Sequence, residues 1–241
     1  MKDAAAETRL AQAAKDGAVG YGELKSHVEA DGPELPRVYA LAAELGLPVL
    51  VHFQEVEHFP GEGRWGTGFK RFEAMLRKYP KTQFVGHADA FWANLDAKYA
   101  SEASYPTGPI TRGGITDKLL GDYANLFGDL SANSGNNAMS REASFTADFL
   151  ERHQHELVFG SDCACADGKG SGTSQSNDPA AARLIGKCVA RETLTLLRAS
   201  TSPEVFRKIT WTNGHALFKR GWRASQRTPV SSASLRIAGA A

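Results

Sequence analysis

The stretch Leu157-Val158-Phe159-Gly160-Ser161-Asp162 decides the fold that we expect for this chain of 241 residues. An apolar run ending in Gly-Ser-Asp is typical of a buried parallel strand that delivers one carboxylate to its tip. Three upstream runs share this design, each ending in one side chain that can bind a metal ion or a proton: residues 48–52 end in His52, residues 83–87 in His87 and residues 125–129 in Asp129. Side chains alternate between the faces of a strand, so each terminal polar group can face a site while its apolar neighbours pack against helices.

Predicted helices alternate with these strands along the chain. They cover residues 3–15, 33–45, 69–79, 116–123, 141–152, 179–197 and 203–218, and a further strand is predicted at residues 20–25. Long loops are predicted at residues 54–68 and 91–114, and residues 131–140 are polar and contain a glycine. Repeated βα alternation predicts a parallel sheet. A closed barrel requires eight strands, and the sequence shows five.

The composition is that of an ordinary globular protein, with 42% hydrophobic and 23% charged residues. A net charge of +1 gives no reason to expect nucleic acid or an anionic membrane as a partner. There is no apolar run long enough to span a bilayer and no signal-peptide pattern, so the chain as given is predicted to be cytoplasmic, although upstream residues could carry a targeting signal. We expect one domain over residues 1–222 and a disordered tail over residues 223–241.

Four short motifs, each at a predicted strand end, carry a resemblance to a known family. In chain order they are Gly22-Glu23-Leu24-Lys25, Val51-His52-Phe53, Gly86-His87-Ala88-Asp89 and Phe159-Gly160-Ser161-Asp162. Over residues 17–219 the sequence resembles the amidohydrolase superfamily, in its amidohydrolase-related branch of metal-dependent hydrolases and decarboxylases. The resemblance implies an α/β fold of the (β/α)8 TIM-barrel type, whose fifth, sixth and eighth strands end in His, His and Asp.

The same resemblance implies a divalent metal ion, of the zinc type, as cofactor. His52 would bind the metal, His87 would bind a second metal or polarise the substrate carbonyl, and Asp162 would hold the metal and take a proton from its water. The fourth-strand position would be filled by Glu23 or Lys25, between which the sequence does not decide. Bound Zn²⁺ lowers the pKa of its water to about 7, which suits a neighbouring carboxylate base.

The sequence departs from the family at the first strand, which normally supplies His-x-His. There is no such spacing ahead of Gly20, and His153-x-His155 precedes the strand that leads to Asp162, so it is expected at the opposite end of the barrel. We therefore expect a partial barrel of the last five βα units. Such a chain is either a fragment of a longer gene product or one part of an assembly with another chain, and unpaired strand edges favour the fragment.

Further candidates lie on the loops. Arg141 is predicted either to bind a substrate carboxylate in a bidentate pair or to lie on the surface, and Arg64 and Trp65 are predicted to contact substrate. Residues 61–66 match the string G-x-G-x-x-G but do not follow a strand directly, so no dinucleotide site is expected. Cys163 and Cys165 favour a structural loop, since two thiols alone do not make a zinc site.

Three functional hypotheses follow. The first is a metal-dependent hydrolase acting on a small amide, ester or lactone through a metal-activated water. The second is a nonoxidative metal-dependent decarboxylase on the same scaffold. The third is a truncated, noncatalytic barrel fragment, since two missing histidines would weaken metal binding. The expected partner is a small-molecule substrate.

Overall fold

The structure is a computed structural model that describes residues 5–25, 27–57, 61–163, 165 and 183–218. The tail predicted over residues 223–241 and the domain boundary predicted at residue 222 lie outside the described residues. The five predicted strands are present in the expected places: β1 is Tyr21–Leu24, β2 is Val49–His52, β3 is Phe84–His87, β4 is Leu126–Asp129 and β5 is Leu157–Val158.

The five strands form one parallel sheet in the order β1-β2-β3-β4-β5. Each strand therefore lies beside its neighbour in sequence, and the chain winds in one direction throughout. A doubly wound sheet reverses direction at a switch point, which this order does not do. The sheet is a partial (β/α) barrel, as the sequence predicted.

Helices precede the first strand, connect consecutive strands and follow the last one. They are α1 (Ala6–Lys15), α2 (Pro36–Leu45), α3 (Glu73–Lys78) after a 3₁₀ turn at Phe69–Arg71, α4 (Asp89–Ala93), α5 (Ile115–Asp122), α6 (Ala132–Ser140), α7 (Ala143–Arg152), α8 (Val189–Ser200), α9 (Pro203–Arg207) and α10 (Asn213–Leu217), with a π-helical turn at Lys208–Thr212 between the last two. In the described segments, every helix is too short or too polar to cross a bilayer.

Two of these helices were not expected from the sequence. Helix α4 begins two residues before the loop predicted at 91–114 and extends into it, and helix α6 occupies the polar stretch that was predicted at 131–140 without a helix. All five residues of α4 are buried, as are residues 133–139 of α6. A helix buried among other elements needs no apolar stripe separated from a polar face, so periodicity does not reveal it.

The prediction of a strand reaching Asp162 was wrong, because β5 ends at Val158. The backbone N–H of Phe159 donates to the carbonyl of Ile209, 3.0 Å away, and so pairs with the C-terminal helical region. Asp162 follows on an irregular segment and has a positive φ of 41°. Its carboxylate is therefore positioned by this segment and not by the sheet.

A cluster of phenylalanines supports the ends of β2 and β3. Its members are Phe53, Phe69, Phe72, Phe84 and Phe91, all fully buried. Most of the ring pairs meet edge to face with centroids 4.8 to 5.4 Å apart, the geometry that aromatic quadrupoles favour. Gly86 makes room for the cluster, because a Cβ at this position would lie 2.1 Å from the Phe91 ring.

Gly86→Ala is expected to lower the free energy of unfolding by about 1–3 kcal/mol, since the added methyl group overpacks a dense core. Equilibrium unfolding in urea measures the change. Gly214→Ala is the matched control: it lies within α10, where a Cβ meets nothing within 4 Å. That substitution should leave stability unchanged or raise it by up to about 1 kcal/mol. Equal effects of the two substitutions would contradict the packing assigned to Gly86.

His153 lies at the N-terminal edge of the sheet, between α7 and β5. Its Nε2 contacts Asp117 Oδ1 at 2.7 Å, and Arg152 Nη1 contacts the same oxygen at 2.6 Å. The His-x-His spacing that includes His153 is therefore at the end of the sheet opposite to His52 and His87, as predicted. Burial favours the neutral acid, but hydrogen bonds from His153 and Arg152 outweigh it and lower the pKa of Asp117 from 3.8 to about 2.

Because the folded-state pKa of Asp117 is depressed, its ionised form stabilises the fold above about pH 4, and that contribution is lost as the pH falls through 2. Asp117→Asn should reduce the free energy of unfolding at pH 6 by on the order of 1–2 kcal/mol, and the difference should shrink toward pH 2. Urea unfolding between pH 2 and 6 tests this. Asp148→Asn removes an exposed partner of Arg152 and should change stability little; a pH-independent loss in Asp117→Asn would contradict the assignment.

Candidate functional site

Three acidic and imidazole side chains meet at the C-terminal edge of the sheet. Glu23 comes from β1, His52 ends β2 and His87 ends β3. His52 and His87 are direct partners in the parallel register, and both side chains are buried. One ligand atom from each of the three residues lies within 4.8 Å of the other two. Hydrogen bonding between strands thus places three potential metal ligands together.

Glu23 lies between the two histidines. Its Oε1 contacts His52 Nδ1 more closely than an ordinary hydrogen bond, and it lies 3.4 Å from His87 Nε2. Between the alternatives that the sequence left open, Glu23 is thus the residue that bridges both rings. The positive charge of Lys25 acts on the site through space and, after burial, is among the influences that lower the pKa of His52.

A hydrogen-bond chain fixes the orientation of His52. The amide Nε2 of Gln54 donates to Glu62 Oε1, so the Gln54 oxygen faces the ring and lies 3.1 Å from His52 Nε2. A carboxylate can only accept, so Gln54 and Glu23 both present acceptor oxygens, one to each ring nitrogen of His52. Burial lowers the pKa of His52 and favours the neutral ring. The contact with Glu23 opposes this effect, because it favours a proton on Nδ1.

His87 is held from the opposite side. Its Nδ1 lies 2.9 Å from Asp129 Oδ2, and Asp129 is itself bound by the backbone N–H and the hydroxyl of Ser131. A carboxylate on one imidazole nitrogen orients the ring and leaves the other nitrogen for a cation. Asp129 therefore makes both a turn contact to Ser131 and the contact that orients His87.

The site concentrates negative charge around the two rings. Burial alone would raise the pKa of Glu23, but its contacts with His52 and His87 hold that pKa well below the usual range. Burial alone would lower the pKa of His87, but Asp129 and Glu23 together raise it to about 10. Both shifts have one cause: positive charge is stabilised between the carboxylates, whether a proton or a metal ion supplies it.

Asp162 approaches the same site from the segment after β5. Its Oδ2 lies 3.9 Å from His87 Nε2, and 62% of the side chain is exposed. This distance is short enough for one metal ion to contact both the Asp162 carboxylate and His87. It lies on the open side of the cluster, whereas Glu23, His52 and His87 form its inner part.

The predicted substrate contacts lie at different distances from this cluster. The Trp65 ring stacks at 6.3 Å from the His52 ring, measured between centroids, and at 4.7 Å from His27. Arg64 donates to the carbonyls of Glu55 and Ser101 on the surface. Trp65 therefore lies against the cluster of potential metal ligands, next to His52. Arg64 connects its own loop to the loop that contains Ser101.

Arg141 is part of a buried ion pair. Its Nη2 lies 2.7 Å from Asp96 Oδ2, and its guanidinium also donates to the carbonyls of Gly108 and Pro109. These contacts attach the loop before α5 to the end of α6. A substrate carboxylate would have to compete with Asp96 for this arginine.

Sequence reasoning gave no role to several residues that shape the site. Gln54 and Glu62 orient His52, and Asp89 is fully buried two residues after His87. Burial raises the pKa of Asp89 to about 8, although the charge of His87 opposes the shift. Asp89 belongs to the motif Gly86-His87-Ala88-Asp89, but all three residues lie beyond the ends of strands, where the sequence pattern predicts no site residue.

No protein-family model matches the chain, and no curated protein matches it. Solved structures that are similar to it include a 5-carboxyvanillate decarboxylase from Sphingomonas paucimobilis (14% identity, TM-score 0.49), a dihydroorotase from Campylobacter jejuni (17%, 0.46) and a 2,6-dihydroxybenzoate decarboxylase complexed with 2,6-dihydroxybenzoate (12%, 0.48). The matches cover 90%, 88% and 89% of this chain, in that order, and 63%, 61% and 67% of the other proteins.

The chain thus spans less than two thirds of the length of the first two proteins. Two of the three are named as decarboxylases and one as a dihydroorotase. With identities of 17% or less and TM-scores below 0.5, these likenesses assign neither an activity nor a site residue to this chain.

Proposed function

We propose that this chain carries the active site of a metal-dependent hydrolase that acts on a small amide, ester or lactone. The observation that carries the proposal is the position of Glu23 Oε1 between His52 Nδ1 and His87 Nε2, at the ends of three adjacent strands. Catalytic residues of (β/α) barrels lie at this end of the sheet.

The donor set fits a divalent cation of the zinc type. Two imidazole nitrogens and one carboxylate oxygen are ligands that zinc accepts, and a catalytic zinc keeps a fourth position open. His52 Nδ1 and the Glu23 carboxylate lie side by side, and a cation bound by both would replace the proton in their contact. Asp129 behind His87 and Gln54 behind His52 fix the rings, as outer partners of metal-binding histidines do.

A zinc-class ion, when bound, makes water acidic enough to lose a proton near neutral pH. The side chains of this chain would do the remaining work. Asp162 is the accessible carboxylate and would accept that proton, since 62% of it is exposed beside His87. His87, held by Asp129 at Nδ1, would bind the ion through Nε2.

The substrate would enter on the open side, where Asp162 lies. Trp65 would give it an apolar wall beside His52, and Arg64 would be the adjacent cation on the same loop. Arg141 is proposed as a contact for a substrate carboxylate only if Asp96 releases it, because its guanidinium is already bound. The first two residues are therefore the better candidates for selectivity.

Removal of an inner ligand should abolish metal binding at this site. His52→Ala and Glu23→Gln are expected to lose the bound zinc-class ion, because each removes one of three donors. Elemental analysis after dialysis against trace zinc, in the chain as given and in any longer form of the gene product, measures the loss. His215→Ala is the matched control, since His215 lies on α10 and stacks on Trp211. Metal retained at full stoichiometry in both site variants would refute the ligand assignment.

Product analysis should identify the reaction. With zinc and a panel of small amides, esters and lactones, we expect incorporation of ¹⁸O from water into the product and no release of CO₂. Asp162→Asn should lower kcat by about 10²–10⁴-fold while metal stays bound, since it removes a proton acceptor and leaves the inner ligands. Release of CO₂ from aromatic or other carboxylates would support the decarboxylase alternative. A metal-loaded chain without either activity would support the noncatalytic alternative.

A further inference from the structure

The chain contains three cysteines, and the structure brings all of them together. Cys163 and Cys165 follow Asp162, and Cys188 comes from the residue directly before α8. The three sulfur atoms lie within 4.8 Å of one another, and the sulfurs of Cys163 and Cys188 are 3.9 Å apart. The sequence showed two neighbouring thiols and favoured a structural loop. Cys188, which is distant in sequence, makes the set large enough to bind a metal.

The sulfur spacing matches that of a metal thiolate centre. At a Zn–S distance of about 2.3 Å, two sulfurs on a tetrahedral ion lie about 3.8 Å apart, and on a trigonal ion about 4.0 Å apart. The observed 3.9 Å falls between the two values. A disulfide has its sulfurs about 2.05 Å apart, so this pair would have to move much closer to be oxidised.

The surroundings of the sulfurs favour thiolates once a cation is present. The backbone N–H of Cys165 donates to Cys163 Sγ at 3.3 Å, and Cys188 lies at the N-terminus of the 12-residue helix α8. Both a backbone donor and a helix N-terminus stabilise negative charge on sulfur. Burial nevertheless raises the pKa of the Cys163 thiol, so the ionised form needs a bound cation to offset the burial.

We propose that Cys163, Cys165 and Cys188 form a second metal site, which binds a soft cation such as Zn²⁺ or Cu⁺ through three thiolates. Thiolates select these ions over hard cations such as Mg²⁺. Each thiol releases its proton to solvent when the cation binds. The site attaches the segment that carries Asp162 to the start of α8, and so fixes a part of the chain that β5 does not reach. It is independent of the ligands Glu23, His52 and His87.

Thiol protection tests the site directly. The reduced, chelator-treated chain should show three thiols that react with Ellman's reagent, and one equivalent of Zn²⁺ or Cu⁺ beyond the first site should protect all three. His52→Ala removes the first site and should leave this protection intact. Cys188→Ser should lose it and lower metal affinity at this site at least 10-fold. Ser161→Ala, an exposed substitution on the same segment, should behave as the wild type.

A second measurement keeps the outcome independent of folding. Co²⁺ added to His52→Ala should give a thiolate-to-metal charge-transfer band that is absent from Cys188→Ser, while circular dichroism shows both variants to be folded. Protection by Zn²⁺ alone or by Cu⁺ alone would identify the ion. The proposal is overturned if neither ion protects the thiols of the folded, reduced chain. It is also overturned if protection disappears in His52→Ala, since the ion would then belong to the first site.

Discussion

The parallel register of β2 and β3 is the constraint on which the candidate site depends. His52 is paired with His87 across the two strands, and the backbone N–H of Phe53 donates to the His87 carbonyl at 3.0 Å. A slip of one residue would turn one imidazole to the opposite face of the sheet. Glu23 could then bridge only one ring. The main-chain hydrogen bonds thus set the distance between the histidines before any side chain contributes.

Side chains on both faces of the sheet stabilise the positions of His52 and His87. On the helix side, the phenylalanine cluster packs against the strand ends, and Gly86 lets the Phe91 ring lie directly on β3. On the site side, Asp129 and Gln54 hold the rings of the two histidines. A packed core does not relax easily by small shifts, so these contacts restrict the orientation of the two rings.

The conformation of the segment after β5 does not depend on strand pairing. The segment leaves the sheet at Val158, and neither strand pairing nor a helix positions Asp162. On one side the Asp162 carboxylate is 3.9 Å from His87 Nε2, and on the other the next residue, Cys163, belongs to the thiol cluster. If both proposed sites are occupied, the segment is held at two points. Its conformation then couples the proton acceptor of the first site to the ion of the second.

The sequence by itself determined the five strands, their parallel pairing and the residues at the ends of β2, β3 and β4, because apolar runs ending in one polar residue are a local pattern. It did not determine α4, α6 or the end of β5, where burial and contacts with distant segments overrode local preference. The choice of Glu23 over Lys25, the pairing of Asp129 with His87 and the approach of Cys188 to Cys163 were decided by tertiary structure alone. These contacts join residues 25 to 64 positions apart in the chain, and the sequence contains no local signal for such distances.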